Sequence, residues 1–236
     1  MKMTLNAPQL RTDQRLMAAS LLAVLLLSGC QHVQPTTQQQ LAMCETTLGS
    51  PIPRFCEVHA ATLWRGSKPT TTEAAWLVQH GVKSVVNLEL LHDDRAQFAQ
   101  AQLSEPRQAQ IDYFKLYDWE IFPAVAPAQT DQRIVRFLAI MQQQAKPVYV
   151  HCRSGQNRTG LMVAAYRIMV QDWPIEQAIE EMRGFDGLWF NSHAAYLRSL
   201  NPAKQQHLLA QAQQLRTTQQ RRAQIVCAAQ RCRVQP

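Results

Sequence analysis

Residues 147–160 read PVYVHCRSGQNRTG. The opening half is an apolar, β-branched run, Val148-Tyr149-Val150, of the kind that forms a short buried strand. The closing half sets Cys152, Gly155, Arg158, Thr159 and Gly160 close together and leads into a helical pattern over 158–171. A strand that enters a tight turn and then a helix aims successive backbone N–H groups inward, at the positive end of the helix. That is an anion nest, and a phosphoryl dianion fits it. Cys152 stands at its base, where amides and helix dipole favour thiolate; comparable placements bring a cysteine pKa from about 8.5 to roughly 3.5–7.5. Arg158 offers a planar fork to two oxygens, which a lysine does not reproduce. Thr159 has a hydroxyl suited to the sulfur as it leaves, and Gly160 allows the helix start to pack closely.

Around this stretch the chain alternates between strand and helix patterns. Residues 62–65 predict a short strand, 66–69 a turn, and 72–80 a helix with Glu73 in its first turn and Gly81 as its stop. Residues 82–88 predict a buried strand, 94–103 a polar helix, and 111–116 an alternating strand. Thr130 or Asp131 predicts the cap of a helix whose Ile134, Phe137, Leu138 and Met141 share one face. Helices follow over 158–171 and 174–183, with Pro174 in the first turn of the second. The Trp189-Phe190 loop and a helix over 193–200 close the domain. A Gln-, Ala- and Arg-rich stretch to about Arg222 predicts a solvent-facing helix. The fold class is therefore α/β, a central, mostly parallel sheet flanked by helices.

The bulk composition agrees. In 236 residues, 46% hydrophobic and 17% charged is the balance of a chain that buries a core. Lys2, Arg11 and Arg15 against Asp13 hold two of the seven net positive charges, leaving +5 for the remainder. That excess is mild, and no basic run with interleaved aromatics predicts a nucleic-acid groove. The same basic residues precede an apolar run over 16–27, too short for a permanent span and the right size for a signal-peptide core. The run ends Leu27-Ser28-Gly29-Cys30, which resembles the lipobox of bacterial lipoproteins. The resemblance implies cleavage of residues 1–29 and lipidation of Cys30. With Gln31 in place of the aspartate that often retains such proteins at the inner membrane, it implies a periplasmic position on the outer membrane. Residues 30–57 then form a tether and N-terminal segment. With Cys30 and Cys152 set aside, Cys44, Cys56, Cys227 and Cys232 suit two disulfides in an oxidising compartment, with three connectivities open.

The stretch 151–160 resembles the signature His-Cys-x-x-Gly-x-x-Arg-Thr-Gly of cysteine-dependent tyrosine and dual-specificity phosphatases. His151, Cys152, Gly155, Arg158, Thr159 and Gly160 all match. Residues 63–69, the 82–88 strand and 165–173 look like the periplasmic dual-specificity phosphatases of Gram-negative bacteria. The resemblance covers about 58–201 and leaves 202–236 as a helical extension carrying a cysteine pair. It implies in-line attack by Cys152, a phosphocysteine, and a transition state held by Arg158 and the amides of 153–158 (Arg153, Ser154, Gly155, Gln156, Asn157, Arg158). It also implies a general acid on a loop some thirty residues upstream. Asp118 lies 34 positions before Cys152, and Glu120, 32 before it, is the alternative; Asp131, 21 before it, falls at the expected helix cap. The implied chemistry needs no cofactor and no metal.

The remaining polar residues have quieter readings. His151 orients the loop through hydrogen bonds, and Arg65 pairs with a carboxylate such as Asp94. Arg153, Gln156 and Asn157 sit where side chains project toward substrate. His59, His80, His92, His193 and His207 lack ligand spacing and read as core or surface. The expected partner is a phosphorylated protein, met by a membrane-anchored monomer. Inositol phosphates or phosphorylated lipids are the alternative substrates, and a non-catalytic phosphate-binding lipoprotein is the alternative class.

Overall fold

The computed structural model describes residues 44–215 and 221–236. The expected signal peptide, Cys30 and most of the tether lie outside them. Among the described residues no helix is long and apolar enough to cross a membrane.

Seven strands form one sheet in the order β1-β2-β5-β3-β4-β6-β7. They are β1 (Cys56–His59), β2 (Leu63–Ser67), β3 (Ser84–Asn87), β4 (Ala109–Lys115), β5 (Val148–Cys152), β6 (Arg221–Ala228) and β7 (Arg231–Gln235). The central four, β2, β5, β3 and β4, run parallel, and the outer strands on both sides pair antiparallel. The helices are α1 (Thr71–Gln79), α2 (Arg95–Ala99), α3 (Phe122–Val125), α4 (Pro127–Gln143), α5 (Asn157–Val170), α6 (Ile175–Gly184), α7 (Asn191–Arg198) and α8 (Pro202–Gln214).

Both faces of β2, β3 and β5 are buried, which is why β3 and β5 read as apolar runs, whereas β4 keeps an alternation with Asp112 half-buried. Leu63, Val86, Phe114, Val148 and Val150 face one core with α4 to α8. Their neighbours Trp64, Val85, Tyr113 and Tyr149 face the other, beneath α1 and α2. Thr70 and Glu73 close a reciprocal capping box at the start of α1, and Gly81, at φ +89°, ends the turn that follows. Arg167 of α5 meets Glu181 of α6 at 2.7 Å and donates to the Val58 carbonyl at 2.9 Å, tying two helices to β1.

Several expectations need correction. The domain begins before residue 58: β1 starts at Cys56 and pairs with β2. Helix α4 starts at Pro127, so Asp131 lies within it and caps nothing. The helix expected over 94–103 is a single short turn, α2. In the C-terminal extension α8 ends at Gln214, and residues 221–235, expected to follow a solvent-facing helix, form a β-hairpin that continues the sheet from β4. The disulfide connectivity, left open by the sequence, is Cys44–Cys56 with Cys227–Cys232, the second joining directly opposed residues of the hairpin.

Candidate active site

Strand β5 is central, and its C-terminal end opens into residues 153–156 before α5 begins at Asn157. A crevice at the carboxyl ends of parallel strands is where open α/β sheets hold ligands. Gly155 adopts φ +74°, and a Cβ there would stand 2.6 Å from the carbonyl carbon and oxygen of Gly66. Only glycine fits both the torsion and the contact. Gly160 lies against Met182, where a Cβ would come within 2.8 Å of Cγ, so α5 and α6 approach closely there. Cys152 is fully buried and is the free cysteine of the described residues. Gln156 and Asn157 are buried, Ser154 and Arg158 are part-exposed, and Arg153 projects to solvent. The buried Thr159 hydroxyl has no hydrogen-bond partner among the described residues.

Two arginines from distant positions hold the loop. Arg65, fully buried on β2, donates from Nη2 to the Gly155 carbonyl at 2.6 Å and stacks 3.7 Å over the Phe185 ring. Burial lowers its pKa to about 10, partly opposed by the fields of Glu181 and Cys152. The expected partner Asp94 belongs instead to His151, whose Nε2 lies 2.8 Å from its Oδ2. Arg54 donates to the Ser154 carbonyl at 3.5 Å and pairs with Asp186 at 3.0 Å. The sequence reading passed over Arg54, Phe185 and Asp186. Their contacts run to a backbone carbonyl, a ring face and a distant loop, and none of these leaves a spacing signal.

The candidate acids separate cleanly. Asp118 is 2% exposed; its backbone N–H donates to Leu88 O at 3.0 Å and its Oδ1 accepts the Trp119 N–H at 2.9 Å. Burial raises its pKa to about 7, against the opposing pull of Arg158 and the Trp119 amide. A carboxyl group still half protonated near pH 7, in the field of Arg158, is equipped to give up a proton. Glu120 is more open, and its Oε1 stands 3.5 Å from Arg158 Nε, so it serves as an ion-pair partner for the arginine. Asp131 accepts from the Tyr196 hydroxyl and pairs with Lys204 at 2.9 Å, a structural commitment that removes it as a candidate. The mouth carries exposed aromatics: Trp119 next to Asp118, and Trp189, whose backbone N–H donates to Asn157 Oδ1 at 3.2 Å.

Comparison with known proteins agrees with this geometry. The family described as "DSP-PTPase phosphatase fused to NAD+ Kinase" matches residues 52–199. The dual specificity protein phosphatase TpbA of Pseudomonas aeruginosa is 32% identical over 172 residues, 72% of this chain and 71% of that protein. Its crystal structure in complex with phosphotyrosine superposes with a TM-score of 0.52 at 29% identity, covering 66% of this chain and 90% of that one. The catalytic core of the Saccharomyces cerevisiae PP-IP phosphatase SIW14 shares the fold, with a TM-score of 0.52 at 16% identity over 69% of this chain and 94% of that one. Loop, fold and relatives agree: this chain belongs to the dual-specificity (DSP-PTPase) protein phosphatase family.

Proposed function

We propose that the protein hydrolyses phosphotyrosine in protein substrates through a phosphocysteine intermediate, working from a lipid anchor at Cys30 on the periplasmic side of the outer membrane. Cys152 attacks phosphorus in line, forming the S–P bond as the P–O bond to the tyrosine oxygen breaks. Asp118 transfers its proton to that oxygen. The loop amides and Arg158 carry the equatorial charge. Water then attacks the phosphocysteine, giving its proton to the Asp118 carboxylate and returning the thiolate. The observation that carries this reading is the buried Cys152 on a glycine-turned loop, with Arg158 and a carboxyl group poised near pH 7 beside it. The exposed Trp119 and Trp189 give an aryl ring a surface to rest on, in keeping with the phosphotyrosine complex of the Pseudomonas protein.

Arg153, exposed on the loop, favours a second reading in which a further phosphate of an inositol phosphate or phospholipid is contacted. Side-by-side kcat/KM on phosphotyrosine, phosphoserine and phosphothreonine peptides and on an inositol polyphosphate decides the class. The expected order places the phosphotyrosine peptide first. Cys152→Ser should abolish turnover, and a variant that retained the wild-type rate would overturn the mechanism. Cys30→Ala should move the protein from the membrane to the soluble envelope fraction; unchanged membrane retention would refute the anchor.

A further inference from the structure

Asp118 owes its position to the residue before it. Tyr117 adopts φ +51°, a left-handed torsion that a bulky side chain keeps only where its surroundings hold it there. Just past this turn, the Asp118 N–H reaches the Leu88 carbonyl at 3.0 Å.

Cations from three elements converge on Tyr117. Lys115 of β4 places Nζ 5.1 Å from the ring centre, and Arg222 of β6 places its guanidinium carbon 5.3 Å from it. Arg133 of α4 donates from Nη2 to the Tyr117 carbonyl at 3.5 Å and stands 5.2 Å from the Phe122 ring centre. Gln129, one turn earlier on α4, accepts from Arg133 Nη1 at 2.5 Å and so orients the guanidinium. Phe122 in turn meets Trp119 edge-on at 6.0 Å. The acid segment is thus gripped on both sides of Asp118.

Arg222 is aimed there by an irregularity in the sheet. The register between β4 and β6 sets Tyr113 opposite Ala223 and then Phe114 opposite Arg221, so Arg222 is the extra residue of a β-bulge. Bulges recur beside active sites, where they re-aim a side chain. Arg221 pairs with Asp112 at 3.2 Å and steadies this end of the hairpin, while the Cys227–Cys232 disulfide staples the other. The hairpin lies outside residues 52–199, the span shared with the family, so the contact is an addition to the catalytic core. An exposed arginine needs no ring beside it to stay solvated. The bulge that aims it and the left-handed torsion it steadies are what mark a role.

We propose that Tyr117, clamped by Lys115, Arg133 and Arg222, is a positioning residue for the general acid, and that the C-terminal hairpin serves the active site through Arg222. This role presumes the reading of Asp118 as proton donor. While the clamp holds, the carboxyl stays buried in the fields of Arg158, Arg133 and Glu120. Once released into water, its pKa falls from about 7 toward the ordinary carboxylate value.

The test compares kcat/KM of the full-length protein on two substrates. Phenyl phosphate has a leaving oxygen that needs a proton, whereas the nitro group of p-nitrophenyl phosphate already stabilises the phenolate. The ratio of the second to the first therefore reports the general acid, and any loss of folded protein cancels from it. The ratio should rise about tenfold in Tyr117→Leu and about threefold in Arg222→Ala. Tyr117→Phe keeps the ring and should keep the wild-type ratio. In Tyr117→Leu the basic limb of the pH–rate profile should also move below 7. Asp118→Asn sets the scale. If it raises the ratio while Tyr117→Leu and Arg222→Ala do not, the clamp is overturned and the general acid stands. If Asp118→Asn itself leaves the ratio unchanged, the proton-donor reading fails and the clamp falls with it. Should Tyr117→Leu fail to fold, Arg222→Ala, a change at an exposed position, keeps the comparison decisive.

Discussion

At the scale of single residues, Asp118 carries the sharpest consequences. Its carboxyl titrates near 7 in the folded protein, against an ordinary value of 3.8, because burial penalises the anion. A raised acid pKa means that the folded state holds the proton more tightly than the unfolded chain. Stability from this group is therefore complete below about pH 4 and is lost as pH rises through 7. Asp118→Asn should thus raise Tm at pH 8 and leave it near wild type at pH 4, with about 4 kcal/mol as the upper limit of the gain. The same substitution should lower kcat by about 10²–10⁴ and erase the basic limb of the pH–rate profile near 7. Glu120→Gln should keep that limb, since Glu120 serves Arg158 rather than the leaving oxygen. A profile that lost its basic limb in Glu120→Gln instead would reverse the assignment. Gly155→Ala meets both a left-handed torsion and the Gly66 carbonyl, so kcat/KM should fall more than about a hundredfold, with a lower Tm.

Elements differ in how openly the sequence declares them, and the reasons are physical. Strands β3 and β5 were legible because burial on both faces leaves apolar runs such as Val148-Tyr149-Val150, and β4 because Ile111, Tyr113 and its polar neighbours alternate. The turn after β5 was legible because glycine and arginine stand there at a spacing that one chemistry demands. Strand β6 was obscured by Arg221, Arg222 and Gln224, which favour helix, although Ala223, Ile225 and Cys227 do alternate inward. The pairing of Arg65 was misjudged because its partner is a backbone carbonyl, and carbonyls carry no residue identity. The hairpin also makes a prediction of its own. Deleting residues 221–236 would uncover β4, and with it Ile111 and Tyr113. Loss of that burial should cost about 3–5 kcal/mol, read as a lower midpoint in urea unfolding and a raised tendency to aggregate.

For the molecule as a whole, the catalytic loop hangs from the middle of the sheet while both disulfides lie at its margins. Cys56 sits on the first outer strand, and Cys227 and Cys232 on the hairpin at the opposite side. Reductant should therefore lower Tm while leaving most turnover intact at 25 °C, and a reduced protein that stayed folded but lost activity would show that the margins govern the centre. The same arrangement decides how the enzyme ages under oxidant. Every described cysteine except Cys152 is already committed to a disulfide. A sulfenic acid formed at Cys152 has no neighbouring thiol among them to trap it as a mixed bridge, and further oxidation to the sulfinic acid is open. Brief peroxide exposure should be repaired by dithiothreitol, whereas prolonged exposure should silence the enzyme for good, with a mass gain of two oxygens on the peptide bearing that sulfur.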